Sequence, residues 1–242
     1  MALSFSEIRH HEVKQYSAQD AFIIAGIVLA GSLIIGIVLG IGISLIGMMM
    51  GLQEDWLTNS NYFDIYLLFL KISFILGVPL VFFRHKKYRI DLTSFGLIKP
   101  KFSKRLVNIY GLAYLFIAMA FLSASFIPQQ LNYEAAKLAV FGKTPVAIIL
   151  AVLFIGVIAP TVEEFFFRGV IFRGLSLRYS FFISALLSSL VFALMGDATR
   201  NIIFVFLSGF GYSYLVHKSE SLWPSIGAHV IVNITAVILA FQ

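Results

Sequence analysis

Residues 159–169 read APTVEEFFFRG, with two adjacent carboxylates and an arginine set among phenylalanines. A carboxylate in such surroundings is costly unless it is paired or put to use. Successive residues on a helix lie about 100° apart, so Glu163 and Glu164 cannot face the same neighbour. Arg168 follows Glu164 at the spacing where side chains meet on one helix face. The economical arrangement pairs Glu164 with Arg168 and directs Glu163 elsewhere. A structural ion pair stitching a bundle would account for Glu164 and Arg168, but it leaves Glu163 unexplained. An ionisable group left over in an apolar segment points to function. Pro160, one turn earlier, interrupts the backbone ladder and frees a carbonyl.

The elements that must position these residues follow from composition. The chain has 242 residues, 60% of them hydrophobic and 12% charged, with a mean hydropathy of +0.92. A soluble domain carries about a quarter charged residues, whereas apolar runs of roughly 20 residues, enough to cross a bilayer, recur here. The expected fold is all-α, a polytopic transmembrane bundle of about seven spanning helices: 21–49, 62–83, 106–126, 145–173, 179–196, 200–216 and 222–241. There is no cysteine, so disulfides and thiolate chemistry are excluded. The first apolar run is too long for a cleavable signal peptide and reads as a retained helix.

The net charge of +6 is gathered in loops, most densely at 84–105, where eight Lys and Arg face Asp91 alone. Beside a membrane helix such a cluster is an orientation signal and a contact for anionic lipid rather than a nucleic-acid site. Placing this loop inside puts 14 of the 18 Lys and Arg on the cytoplasmic side. The N-terminus is therefore expected inside. We divide the chain into N-terminal membrane helices, 1–126, and core helices, 145–241, within one integral domain; residues 127–144 are compatible with a re-entrant or interfacial helix. Gly36, Gly40, Gly47 and Gly51 have the small-xxx-small spacing of close helix packing, with homodimerisation through this first helix as the sharper alternative. Asp64 and Lys71, two turns apart in the second span, suit pairing with neighbouring helices and are given no function.

Folding the chain about a turn near Tyr179 and Ser180 brings Glu163 level with position 196. His229 lies about 10 Å into the last span, counted at 1.5 Å per residue, and Asn233 is one turn further on the same face. Glu163, His229, Asn233 and position 196 can thus share one layer, a small polar chamber open to the cytoplasm. A carboxylate in an apolar setting is a competent general base, and a His with an Asn can polarise a carbonyl or hold an oxyanion. The chemistry this suggests is amide hydrolysis near the membrane surface.

These residues resemble the CAAX protease and bacteriocin-processing (CPBP, or Abi) family of intramembrane peptidases. Its signature is EExxxR on one helix, FxxxH on the next and HxxxN or HxxxB on a later one. Glu163, Glu164 and Arg168 match the first motif; His229 and Asn233, in SLWPSIGAHVIVN, match the third. The resemblance covers residues 145–241, with a weaker echo in IDLTSFGLIKP of the basic loop. The second motif departs: Phe192 is present, but Gly196 stands where the family has His, with Asp197 beside it. In the family, the first glutamate and that histidine are thought to hold the attacking water. The resemblance implies Glu163 as base, Glu164 and Arg168 in support, and His229 and Asn233 at the oxyanion.

A divalent metal is weakly supported, because a zinc site needs three or four ligands and only Glu163, His229 and Asp197 count towards one. The leading expectation is a multi-pass membrane endopeptidase of bacterial type acting on a peptide or membrane-protein substrate. The alternative is a catalytically silent member acting by binding, in bacteriocin immunity or as a membrane regulatory scaffold. A small transporter using Glu163 as a proton site is a third reading, disfavoured because no internal repeat is evident.

Overall fold

A computed structural model describes residues 16–50, 61–86, 92–100, 144–195 and 202–240, together with positions 107, 108, 110, 111, 114, 115 and 118. Among these residues the chain is entirely helical, with no strand. Helix α1 spans Ala18–Met49 and α2 spans Asn61–His85. Helix α3 runs through residues 145–176 as five consecutive segments, three α-helical and two π-helical. Helices α4 (Phe181–Met195), α5 (Ile202–Ser219) and α6 (Trp223–Ala240) follow.

These six helices reproduce six of the expected apolar segments, their ends shifted by at most three residues. The described positions between 107 and 118 are helical too, within the remaining expected segment, 106–126. By length and composition, two helices can cross a membrane, through windows at Ala18–Ile35 (mean hydropathy 2.0) and Ile148–Ser176 (2.1). Residues 127–143, most of the segment suited to a re-entrant helix, lie outside the described residues.

Local chemistry sets several boundaries. At the start of α1, the Ser17 hydroxyl accepts from the Asp20 N–H at 3.2 Å, and the Asp20 carboxylate accepts from the Ser17 N–H at 2.9 Å. This is the reciprocal cap of a Ser-x-x-acid sequence. Between α3 and α4, the turn falls at residues 177–180, where the hairpin was expected. Ser188 of α4 then donates to the Phe167 carbonyl at 2.7 Å, which pins the register of the two helices.

Helix α3 lies at the hub, touching each of the other five helices. Its aromatic run is almost wholly buried: Phe166, Phe167, Val170, Ile171 and Phe172 show at most 1% exposure. Around them the core gathers Ile24 and Val28 of α1, Ile75 of α2, Phe192 of α4 and Tyr212 and Leu215 of α5. By contrast, Leu33, Ile37, Ile41 and Leu45 of α1 are more than half exposed. An apolar face of that kind suits contact with lipid tails.

Arg173, near the end of α3, fastens the loop at 92–98. Its guanidinium donates to the carbonyls of Ser94 (2.9 Å) and Glu220 (2.9 Å). The Leu222 N–H donates to the Gly96 carbonyl at 2.8 Å, and the Ser221 hydroxyl to the Ile98 carbonyl at 2.6 Å. Gly96 has φ +93°, and a Cβ there would sit 2.8 Å from the Arg173 guanidinium, so both backbone and space require glycine. The LTSFGLI stretch is thereby joined to α3 and to the turn before α6.

Candidate functional site

The acidic pair sits where two departures from α-geometry bracket a proline. Residues Val152–Ile158 form a π turn, Ala159–Glu164 return to α, and Phe165–Phe172 form a second π turn. In the first, the Ala159 N–H bonds the Phe154 carbonyl, five residues back. The next such bond would run from residue 160 to the Ile155 carbonyl, but Pro160 has no N–H to give. Asn233 of α6 meets this need, its Nδ2 donating to the Ile155 carbonyl at 3.1 Å. The carbonyl expected to be freed by Pro160 therefore exists, and Asn233 is the group that satisfies it. π turns inside α-helices are frequent at functional sites.

Around the glutamates the expected local pairing is present. Arg168 Nη1 lies 2.8 Å from Glu164 Oε1, both side chains having no solvent exposure. The guanidinium also donates to the Gly209 carbonyl at 3.0 Å. It lies 4.5 Å from the ring centre of Phe192 and 5.1 Å from that of Tyr212. Aromatic faces of this kind attract a cation electrostatically. His229 stacks on Tyr212 with ring centres 4.8 Å apart and meets Phe192 edge-on at 5.7 Å.

His229 is the bridge between the two acids. Its Nδ1 is 3.0 Å from Glu164 Oε1, and its Nε2 is 3.7 Å from Glu163 Oε2. The two glutamates thus share His229 as a neighbour, contrary to the expectation from their 100° offset, because the imidazole presents a nitrogen to each; the other oxygen of Glu163, Oε1, lies 2.8 Å from Lys71 Nζ of α2. Among the described residues these contacts link Lys71, Glu163, His229, Glu164 and Arg168, and each carboxylate is met by a cation.

Glu164 Oε1 accepts from Arg168 and faces His229 Nδ1, and a hydrogen on Nδ1 of a neutral imidazole would leave Nε2 with a lone pair turned towards Glu163 Oε2. The cluster is enclosed: Glu163 is 7% exposed and His229 3%, while the Lys71 side chain, at 23%, is the member nearest solvent.

Residue by residue, the structure brings together Glu163, Glu164, Arg168 and His229 and places Asn233 at the π turn. Gly196 and Asp197 lie outside the described residues, as does the expected alignment of Glu163 with position 196. Phe192, four residues earlier, forms part of the aromatic wall. Lys71 is the member that sequence reasoning left without a function. Charge balance was the available signal, since two glutamates and one arginine in an apolar segment require another cation. Among the described residues, no group of three or more His, Asp or Glu is arranged to hold a metal ion.

Comparison with known proteins bears on the same stretch. The family model described as Type II CAAX prenyl endopeptidase Rce1-like matches residues 145–235. Residues 145–235 are thus similar to that family, and are called here the Rce1-like segment. It contains every glutamate, arginine, histidine and asparagine of the site and leaves Lys71 outside. A Bacillus subtilis (strain 168) protein named "Putative membrane peptidase YdiL" is 27% identical over 96 residues, covering 40% of this chain. That alignment spans 39% of the relative's own length. No solved structure matches. Together with the two apolar helices, the Rce1-like segment and this relative support assignment as a membrane protein.

Proposed function

We propose that this chain is an intramembrane endopeptidase of the CAAX type, hydrolysing a peptide bond near the cytoplasmic face of the membrane by means of a water activated by Glu163. The observation that carries the reading is the approach of Glu163 Oε2 to His229 Nε2, 3.7 Å apart inside the Rce1-like segment; the imidazole acts in its neutral form. A single water can donate one O–H to each. Glu163 removes a proton as the water oxygen bonds the amide carbon, and the carbonyl electron pair moves onto oxygen. Collapse of this intermediate breaks the C–N bond, and Glu163 returns the proton to the leaving nitrogen. The products are a new carboxyl terminus and a free amine.

In this scheme Arg168 and Glu164 act through His229: the buried pair fixes the imidazole with Nε2 turned towards Glu163. His229 then serves the water rather than the oxyanion, which offsets the glycine at position 196. Asn233 holds the Ile155 carbonyl and thereby the bend that presents the two glutamates. The chain is read as a multi-pass protein of a bacterial cell membrane, with about seven spans and the N-terminus inside. Its substrate is a peptide or membrane-protein segment, and the basic loop 84–105 meets anionic lipid.

The second reading, a silent member acting by binding in immunity or regulation, has its own support in Gly196. The test is cleavage of candidate peptides by the purified protein in nanodiscs, comparing wild type with Glu163→Ala and Gly196→His. Cleavage by wild type that Glu163→Ala abolishes supports the endopeptidase. Inert wild type with activity gained in Gly196→His assigns the chain to the binding class.

A further inference from the structure

We propose that Lys71 is the positioning residue for Glu163, a part of the hydrolytic site supplied by a helix outside the Rce1-like segment. The inference rests on the endopeptidase reading and deepens it. Three observations carry it. Lys71 Nζ lies 2.8 Å from Glu163 Oε1, while Oε2 of the same carboxylate faces His229. The ammonium therefore occupies one oxygen and leaves the other turned towards the imidazole. Second, Arg168 donates to Glu164 and to the Gly209 carbonyl, whereas the ammonium at Glu163 comes from another helix. Third, Lys71 belongs to α2 and lies beyond residues 145–235, so the pairing depends on how α2 packs against the Ala159–Glu164 stretch.

A base has to be ionised and correctly rotated before it can take a proton from water. Lys71 Nζ sets an opposite charge 2.8 Å from a carboxylate that is 7% exposed. The contact also fixes the carboxylate's rotation, because a charge-assisted bond at this distance is directional. Lys71 is thus expected to set kcat rather than substrate binding. An arginine can replace it, since it keeps the charge and a donor within reach.

The test compares full-length wild type, Lys71→Met, Lys71→Gln, Lys71→Arg, Glu163→Gln and the Lys71→Met/Glu163→Gln double variant in nanodiscs. Expected is a loss in kcat of at least about tenfold for Lys71→Met and Lys71→Gln. KM should stay within about threefold of wild type, and Lys71→Arg should recover most of the rate. Added to Glu163→Gln, Lys71→Met should cost less than about twofold. The readout independent of activity is infrared difference spectroscopy at neutral pH. Wild type minus Glu163→Gln should show an ionised carboxylate, and Lys71→Met minus the double variant a protonated carboxyl. Unchanged kcat in both Lys71→Met and Lys71→Gln, or the same carboxylate bands with and without Lys71, overturns the proposal. If wild type cleaves nothing, the endopeptidase reading fails and the infrared comparison still decides whether Lys71 controls Glu163.

Discussion

Replacing Arg168 with methionine removes the cation from a fully enclosed pair while keeping most of the side chain's apolar bulk. What remains is Glu164 with no solvent exposure, its Oε1 facing His229 at 3.0 Å and its Oε2 buried without a hydrogen bond. Breaking a buried pair by deleting one partner costs about 3–5 kcal/mol. His229 Nδ1 stays within 3.0 Å of Glu164 as a polar neighbour, which places the expected loss near the lower end, about 3 kcal/mol. Glu164→Gln leaves Arg168 charged, but the Gly209 carbonyl and the faces of Phe192 and Tyr212 remain around it. Those ring contacts offset roughly 1–2 kcal/mol, so this variant should lose about 2 kcal/mol. The double variant carries neither charge and should lose far less than the sum, giving a coupling of at least about 2 kcal/mol. Reversible unfolding by SDS in mixed micelles, followed by circular dichroism, measures all four corners of the cycle. A coupling below about 0.5 kcal/mol would refute the claim that this pair is desolvated and mutually dependent.

Asn233→Ala should cost about 1–3 kcal/mol in the same assay, because it leaves the Ile155 carbonyl without its side-chain donor. In a Pro160→Ala background the backbone N–H returns, and the penalty for Asn233→Ala should fall by at least half (roughly); an equal penalty in both backgrounds would show that Asn233 serves something other than the proline gap. Gly209→Ala would put a Cβ 2.9 Å from Arg168 Nη2 and 3.0 Å from the Phe192 ring. The same unfolding assay should show a loss of about 1–3 kcal/mol, and wild-type stability would mean that the guanidinium can shift without cost.

What could be read from residues alone was what depends on short sequence distances. Ser17-x-x-Asp20 marks the start of α1, and the four-residue step from Glu164 to Arg168 fixes their contact whatever surrounds them. The four-residue step from His229 to Asn233 sets both on one side of α6, but the hydrogen bond from Asn233 to the Ile155 carbonyl could not be foreseen. A π turn rotates everything beyond it relative to an uninterrupted α-helix, and VLFIGVI carries no compositional mark of such a turn. Helix α2 posed the same difficulty from the other side. Its residues 65–83 are apolar on all faces apart from Lys71 and Ser73, so no polar stripe fixes its rotation about its axis.

Electrostatics could have supplied what periodicity did not. The stretch 163–168 carries two glutamates and one arginine, one negative charge in sum, and an unbalanced charge in an apolar interior is the state a fold avoids most strongly. The second expected span, 62–83, holds two charged residues, Asp64 and Lys71, so Lys71 is the cation that span can offer. Its pairing with Glu163 supplies an opposite charge and joins α2 to the Rce1-like segment through the carboxylate on which hydrolysis would depend. A chain cut down to residues 145–235 would retain both glutamates, Arg168, His229 and Asn233 and still lack the ammonium that completes the cluster.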